Sequence, residues 1–150
     1  MESRSLLAFA LAVAGSLGCM MGATASAENV HDHQVDMTAT LFASNPKSFG
    51  EVCERLDGVL TKTDDAAVCE RGLSVLAVSF KGDVVRWAMI AYPVSEEDIQ
   101  GLRQAARARF GKPDAAKNKE LMWRLESGVV ASAGYDDQYS TFALARSFPE

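Results

Sequence analysis

The sequence contains little histidine: only two of its 150 residues are histidines, His31 and His33. Both lie in a polar segment without helix or strand periodicity, so the predicted folded body contains no imidazole base. Catalysis by a Ser–His or Cys–His pair would require that segment to fold back onto the body. A glycine-rich phosphate loop, H-E-x-x-H and C-x-x-C are also absent from the sequence. The sequence therefore predicts a protein that is not an enzyme and carries no cofactor.

The chain also lacks an excess of positive charge. Its formal net charge is −5, from 15 basic and 20 acidic residues. Nucleic-acid binding calls for a clustered basic surface, so we expect no nucleic-acid partner. A mildly acidic surface favours cationic partners instead.

Charged residues are absent from residues 5–27, and residues 6–17 are almost entirely apolar. Arg4 precedes this run and Ala25-Ser26-Ala27 ends it, which is the pattern of an export signal cleaved after Ala27. The run is long enough to span a bilayer if it is retained as an anchor. Cys19 offers a lipoprotein alternative, although Ser16 stands where an apolar residue is expected. We predict a signal peptide over 1–27, no membrane span after cleavage, and a periplasmic or secreted protein of a Gram-negative bacterium.

After cleavage two cysteines remain, Cys53 and Cys69. In an oxidising compartment such a pair is more often a disulfide than a catalytic thiol or a metal site. Closing a loop of about 15 residues stabilises a fold by about 3 kcal/mol on the chain-entropy model. We therefore predict a structural disulfide between them.

Residues 28–44 are predicted to be a flexible arm, and residues 45–150 a single α+β domain. A first helix is predicted from the capping box of Ser48 and Glu51, with Gly58 as its left-handed stop. A hairpin is predicted over 73–80 and 84–92, turning at Gly82. On its second strand the alternation predicts that Val85, Trp87, Met89 and Ala91 are buried.

A second helix is predicted to begin after Ser95 and to end at Gly111-Lys112-Pro113. Strands are predicted over 120–125, 129–133 and 141–148, and an earlier one over 59–63. The order is thus a helix and three strands, twice over, which suggests a tandem αβββ duplication. Hairpin connections imply an antiparallel sheet with helices on one face.

Residues 73–147 resemble a recurring type of small exported bacterial α+β domain. The likeness consists of the hairpin, the helix ending in Phe110-Gly111-Lys112-Pro113, the strand bearing Trp123 and the closing hairpin. The repeated helix-plus-sheet units are similar in topology to β-lactamase-inhibitor proteins and to small outer-membrane assembly lipoproteins. The resemblance implies a fold and carries no catalytic residue, since fold does not establish function.

The segment Tyr135-Asp136-Asp137-Gln138-Tyr139 is predicted to form a hairpin tip. Tyrosines beside acids combine contact area, hydrogen bonding and charge, a mixture enriched in protein-binding surfaces. Tyr135, Asp136, Asp137 and Tyr139 are therefore the candidate partner-binding residues. The competing interpretation is that either tyrosine packs onto the core, because amphipathic aromatic side chains occur both in cores and at binding surfaces.

His31, His33 and Asp36 form the candidate metal site. In an extended arm the two histidines project to the same side and offer ligands for Zn²⁺ or Cu²⁺. Structural sites usually need four ligands, so a solvated tail is the competing interpretation.

The leading functional hypothesis is a protein-binding module, either an enzyme inhibitor or an accessory protein of the cell envelope. Its partner is expected to be another envelope or secreted protein, and the sequence leaves the oligomeric state open. The alternatives are a metal-binding accessory protein using the histidine arm and a hydrolase built on carboxylates. Two acids with perturbed pKa values in a deep pocket would favour the hydrolase.

Overall fold

The structure is a computed structural model that describes residues 30–94 and 96–146, except the side chains of residues 96–98. The predicted signal peptide, Cys19, the predicted cap at Ser95 and the last four residues lie outside the described residues. The helices are α1 (Val30–Phe42), α2 (Pro46–Arg55) and α3 (Glu96–Phe110). The strands are β1 (Val59–Lys62), β2 (Ala66–Arg71), β3 (Ser74–Lys81), β4 (Val84–Pro93), β5 (Ala115–Lys117), β6 (Glu120–Arg124), β7 (Val129–Tyr135) and β8 (Tyr139–Arg146).

The strands form one antiparallel sheet in the order β1-β2-β3-β4-β8-β7-β6-β5. This confirms the predicted α+β class. Each half of the sheet is a four-stranded meander, and the halves meet where β4 pairs with β8. The predicted αβββ unit is therefore wrong by one strand in each half. The missed strands are β2 and the three-residue β5, whose alanine-rich sequences carry little strand signal.

The predicted flexible arm is wrong, because residues 30–42 form the helix α1. This helix contacts the two central strands β4 and β8 as well as α3. Its buried residues follow helical spacing. They are His31, Gln34, Val35, Met37, Thr38, Leu41 and Phe42. Several of them are polar, so hydrophobic periodicity alone does not reveal the helix.

Helix α2 begins earlier than the predicted capping box at Ser48. Asn45 is the N-cap, its side-chain oxygen accepts a hydrogen bond from the Ser48 backbone N–H at 2.9 Å, and Pro46 is the first helical residue. Asparagine as the cap followed by proline is a favoured helix start. The prediction placed the cap three residues too late.

The end of α2 is a Schellman motif in which Asp57, not Gly58, adopts the left-handed conformation. The Gly58 N–H donates to the Cys53 carbonyl, and the Asp57 N–H donates to the Glu54 carbonyl, both at 3.0 Å. Gly58 is needed for another reason. A Cβ at this position would overlap Cys69 Sγ and would lie 3.0 Å from Cys53 Sγ.

The predicted disulfide is confirmed: Cys53 on α2 is bonded to Cys69 on β2, with their Cα atoms 5.7 Å apart. Both residues are fully buried. The disulfide attaches α2 to the outer part of the sheet, next to the edge strand β1.

The hairpin of β3 and β4 turns at Gly82 as predicted, with a φ of 63°. The strict alternation predicted for β4 is wrong, because the register shifts between Ser79 and Phe80. A bulge adds one residue to β4 and reverses the orientation of the side chains beyond it. Val85 and Ala91 are buried as predicted, but Val85 lies on the same face as buried Ala88 and Ile90, whereas Trp87 and Met89 are only half-buried on the opposite face.

Within the part of the chain that the structure describes, no helix is long and apolar enough to cross a membrane.

Candidate protein-binding surface

The sheet has two faces that differ in what covers them. On one face, all three described helices pack over two rows of buried side chains that run across the strands. These rows are Cys69, Leu76, Ile90, Phe142, Ala133 and Leu121, and Ala67, Val78, Ala88, Leu144, Ala131 and Trp123. Within residues 30–94 and 96–146, no helix lies on the opposite face. We call that opposite face the helix-free face.

The helix-free face consists of three rows of residues that are paired across β2, β3, β4, β8, β7 and β6. The Met89 row is central and contains Val68, Ala77, Met89, Ala143, Ser132 and Met122. The Ala91 row contains Glu70, Val75, Ala91, Thr141, Gly134 and Glu120. The Trp87 row contains Ala66, Ser79, Trp87, Ala145, Val130 and Arg124.

The composition of the helix-free face differs from that of an ordinary exposed sheet. An antiparallel sheet covered on one side usually carries polar residues on the other. Here charged residues occur in the three rows only on the outer strands β2 and β6. The four strands between them carry no charged residue in these rows, and their only polar residues there are the small Ser79, Ser132 and Thr141. A largely apolar surface of this kind is typical of a contact surface.

Larger side chains stand among small ones on the helix-free face. Trp87 and Met89 on β4 and Met122 on β6 are half-buried. Ala77 and Ala91 lie recessed between them, with 6% and 4% of their surface exposed. Trp87 and Met89 are residue types enriched at the centres of protein interfaces.

The structure separates the two tyrosines of the predicted hairpin tip. Tyr135 pairs with buried Ser140 and lies on the helix side of the sheet. Its ring is flanked by the Arg103 guanidinium at 5.5 Å and the Lys119 ammonium at 5.8 Å from the ring centroid. Both distances are typical of cation–π contacts. Tyr135 is thus packed against its own chain.

Tyr139 lies on the other side of the same tip. It pairs with Pro93 and precedes Ser140, so strand alternation places it on the helix-free face, beyond the Ala91 row. It is half-buried. The four residues predicted to bind a partner together therefore do not converge on one surface, and only Tyr139 borders the helix-free face.

Asp136 has a local role in the tip. Its carboxylate accepts hydrogen bonds from the backbone N–H groups of Gln138 at 2.7 Å and Tyr139 at 2.8 Å. These two bonds lower the pKa of Asp136 below its usual value. This is the pattern of a turn stabilised by an aspartate side chain. Asp137 beside it is exposed.

The three residues of the predicted metal site do not converge either. On a helix, His31 and His33 are rotated about 200° apart, so they project to opposite sides. His31 is buried and shares a 2.8 Å hydrogen bond between its Nδ1 and Gln34 Oε1. Asp36 forms an ion pair with Arg109. The described residues contain no group of three potential metal ligands.

A cleft of about 310 Å³ lies between α1 and α3 and is lined by Asp32, Asp36 and Arg109. Asp36 is exposed and paired with the arginine. A carboxylate-based hydrolase uses two acids whose environments push their pKa values apart, usually through burial. An exposed, ion-paired Asp36 does not have that geometry.

The helix-free face is not among the sites predicted from the sequence, although its signal is present in the strands. Both sets of alternate residues are apolar in β3 and β4: Leu76 and Val78 face the helices, and Val75 and Ala77 face away. Strands that are apolar on both faces are usually covered on both faces. The pattern therefore indicates a second apolar surface.

Comparison with known proteins adds no further identification: no protein-family model matches the chain, and no curated protein or solved structure is significantly similar to it.

Proposed function

We propose that this protein is an exported, non-catalytic protein-binding module of the periplasm or the extracellular space. Its partner is another envelope or secreted protein, which it inhibits or assists. The contact surface is the helix-free face, bordered by Tyr139. The buried Cys53–Cys69 disulfide supports the assignment to an oxidising compartment.

One observation carries this proposal: the helix-free face is uncharged and mostly apolar across its four central strands. Val75, Trp87 and Met89 lie together on this face, and each is only half-buried. Contiguous apolar surface with a polar rim is typical of a site that another protein covers. This placement replaces the hairpin tip, whose residues point to different sides.

Affinity capture from a periplasmic extract tests the proposal, with mass spectrometry to identify the proteins retained. The baits are the wild type, Met89→Glu on the helix-free face and Arg107→Glu as a matched control on the exposed side of α3. We expect Met89→Glu to lose at least ~90% of the retained partner, because a charge buried in an apolar contact is unpaired. The control should retain it fully.

Two tyrosine variants sharpen the assignment. Tyr139→Ala should weaken capture, and Tyr135→Ala should not, because Tyr135 packs on the helix side. Equal capture by wild type and Met89→Glu, with both folded by circular dichroism, would contradict the proposal.

A further inference from the structure

We infer that a second copy of this chain covers the helix-free face while no partner protein occupies it, in a symmetric dimer formed by stacking two such faces. This inference rests on the proposed function and names the occupant of the same surface. The two-fold axis lies between the sheets along the Met89 row and runs across the strands. Each strand then lies over the same strand of the copy, in the reverse direction.

This symmetry places the Ala91 row of one copy against the Trp87 row of the other. In such an interface residue i contacts residue j, and j contacts i. Every central strand carries a larger residue in one of these rows and a smaller residue in the other. The pairs are Val75 with Ser79, Trp87 with Ala91, Thr141 with Ala145, and Val130 with Gly134.

The pair on β4 illustrates the fit. Trp87 is the largest side chain of the three rows, and Ala91, at the opposite end of the same strand, is recessed with 4% of its surface exposed. Reversal of the strand sets each tryptophan over the alanine of the other copy. Sheets that pack face to face interdigitate their side chains in this manner, about 10 Å apart.

The charges of β6 obey the same symmetry, whereas Glu70 on β2 faces Ala66 of the other copy. On β6, Glu120 lies in the Ala91 row and Arg124 in the Trp87 row, and both are exposed. The two-fold axis sets each glutamate opposite the arginine of the other copy. An axis parallel to the strands through the centre of the face would instead set Glu120 against Glu70 of the other copy, which is unfavourable, and would leave Arg124 opposite Ala66.

The area of the helix-free face suits a dimer. Six strands at about 4.8 Å and three rows at about 6.7 Å give a face of roughly 29 by 20 Å. Two such faces cover roughly 1,200 Å² of flat area, at the lower bound of specific, stable interfaces.

Sedimentation of protein purified from the periplasmic fraction tests the inference over a concentration series. The variants are Glu120→Arg and Arg124→Glu, each alone and then mixed in equal amounts. We expect the wild type to dimerise and each single variant to dissociate at least ~10-fold more readily, because like charges then face each other. The mixture should recover the wild-type dimer, since each variant supplies the charge opposite to the other.

The mixture distinguishes the proposed dimer from a dimer of different symmetry. Loss of dimer in the single variants without recovery in the mixture would overturn the proposed symmetry. A dimer insensitive to both variants would place the interface elsewhere and would overturn it as well. The control Arg107→Glu should dimerise as the wild type does.

The two proposals fail differently. If the wild type stays monomeric while Met89→Glu still abolishes capture of another envelope protein, the second copy is the wrong partner and the proposed function stands. If Met89→Glu changes neither dimerisation nor capture, the helix-free face is not a contact surface and both proposals are overturned.

Discussion

Gly58 lies against both sulfur atoms of the Cys53–Cys69 disulfide, and this contact decides which residue the position accepts. Replacement by alanine would force a methyl group against the sulfurs. We expect Gly58→Ala to destabilise the fold by about 1–3 kcal/mol, the usual cost of overpacking. Urea denaturation measures the change in the free energy of unfolding.

Gly50, eight residues earlier, provides the matched control. It lies inside α2, and the nearest atom to an added Cβ is Leu60 Cδ2 at an ordinary 3.7 Å. Alanine is favoured over glycine within a helix by about 1 kcal/mol. Gly50→Ala should therefore stabilise the protein. Equal effects of the two substitutions would show that the sulfur atoms do not restrict position 58.

Tyr92 is the residue through which alkaline pH acts on stability. Burial raises the pKa of its hydroxyl above the ordinary value of 10.0, and the charge of Arg71 offsets part of this effect. Above about pH 10 the unfolded chain releases this proton while the folded chain retains it, so stability falls as pH rises. We expect Tyr92→Phe to lose less stability than the wild type between about pH 9 and 11. If the free energies of unfolding of the wild type and of Tyr92→Phe fall equally with pH across that range, the prediction is wrong.

At the scale of elements, Gln34 joins α1 to the centre of the sheet. Its side-chain amide donates to the carbonyls of Ile90 on β4 at 2.8 Å and Ser140 on β8 at 3.2 Å. Its oxygen faces His31 Nδ1 at 2.8 Å. One fully buried side chain thus bridges the helix and the two strands where the halves of the sheet meet.

Replacement of Gln34 by leucine keeps the volume of the side chain. The Ile90 and Ser140 carbonyls and His31 Nδ1 then lose the hydrogen bonds that Gln34 makes with them. An unsatisfied buried polar group costs about 1–3 kcal/mol, so we expect Gln34→Leu to destabilise the protein by roughly 2–5 kcal/mol. Amide hydrogen exchange should rise first in α1 and at the β4–β8 pairing. Exchange that rises only at the sheet edges would contradict this role.

The same helix shows why part of the fold could not be predicted from the sequence. Gln34 and Thr38 lie on the buried face of α1 at helical spacing, yet neither counts as apolar in a periodicity test. The strands supply the hydrogen-bond partners of Gln34 from distant parts of the chain, whereas the Thr38 hydroxyl donates to the Gln34 carbonyl of its own helix. The bulge in β4 is equally non-local, since its register depends on β3. The hairpin turn at Gly82 was predictable because it depends on neighbouring residues. The disulfide was predictable because paired cysteines oxidise in an exporting compartment.

For the whole molecule, the disulfide is confined to the first half of the sheet. It ties α2 to β2, whereas the half formed by α3 and β5 to β8 contains no cysteine. The second half relies instead on aromatic packing, in which Phe110 stacks on Phe142 and contacts Trp123. Trp123 also donates a 2.9 Å hydrogen bond to the Gly111 carbonyl. The two halves thus have the same strand order and different means of holding their helices.

Removal of both cysteines should therefore weaken the molecule unevenly. The loop closed by the disulfide spans 16 residues, so Cys53→Ala with Cys69→Ala should lower the free energy of unfolding by about 3 kcal/mol. Hydrogen exchange should accelerate in α2, β1 and β2 before β6 to β8, because local opening follows the weakened contacts.

The protein without the disulfide also tests the role of Gly58. Without the sulfur atoms, most of the cost of Gly58→Ala should disappear, and the difference between the two backgrounds measures the coupling between Gly58 and the disulfide. An unchanged cost would assign the requirement for glycine to the Glu70 carbonyl, which lies 3.2 Å from the added methyl position.

Uniform acceleration of exchange throughout the sheet would show that the two halves unfold as one unit, and the stabilising effect of the disulfide would then extend across β4 and β8 to the whole domain.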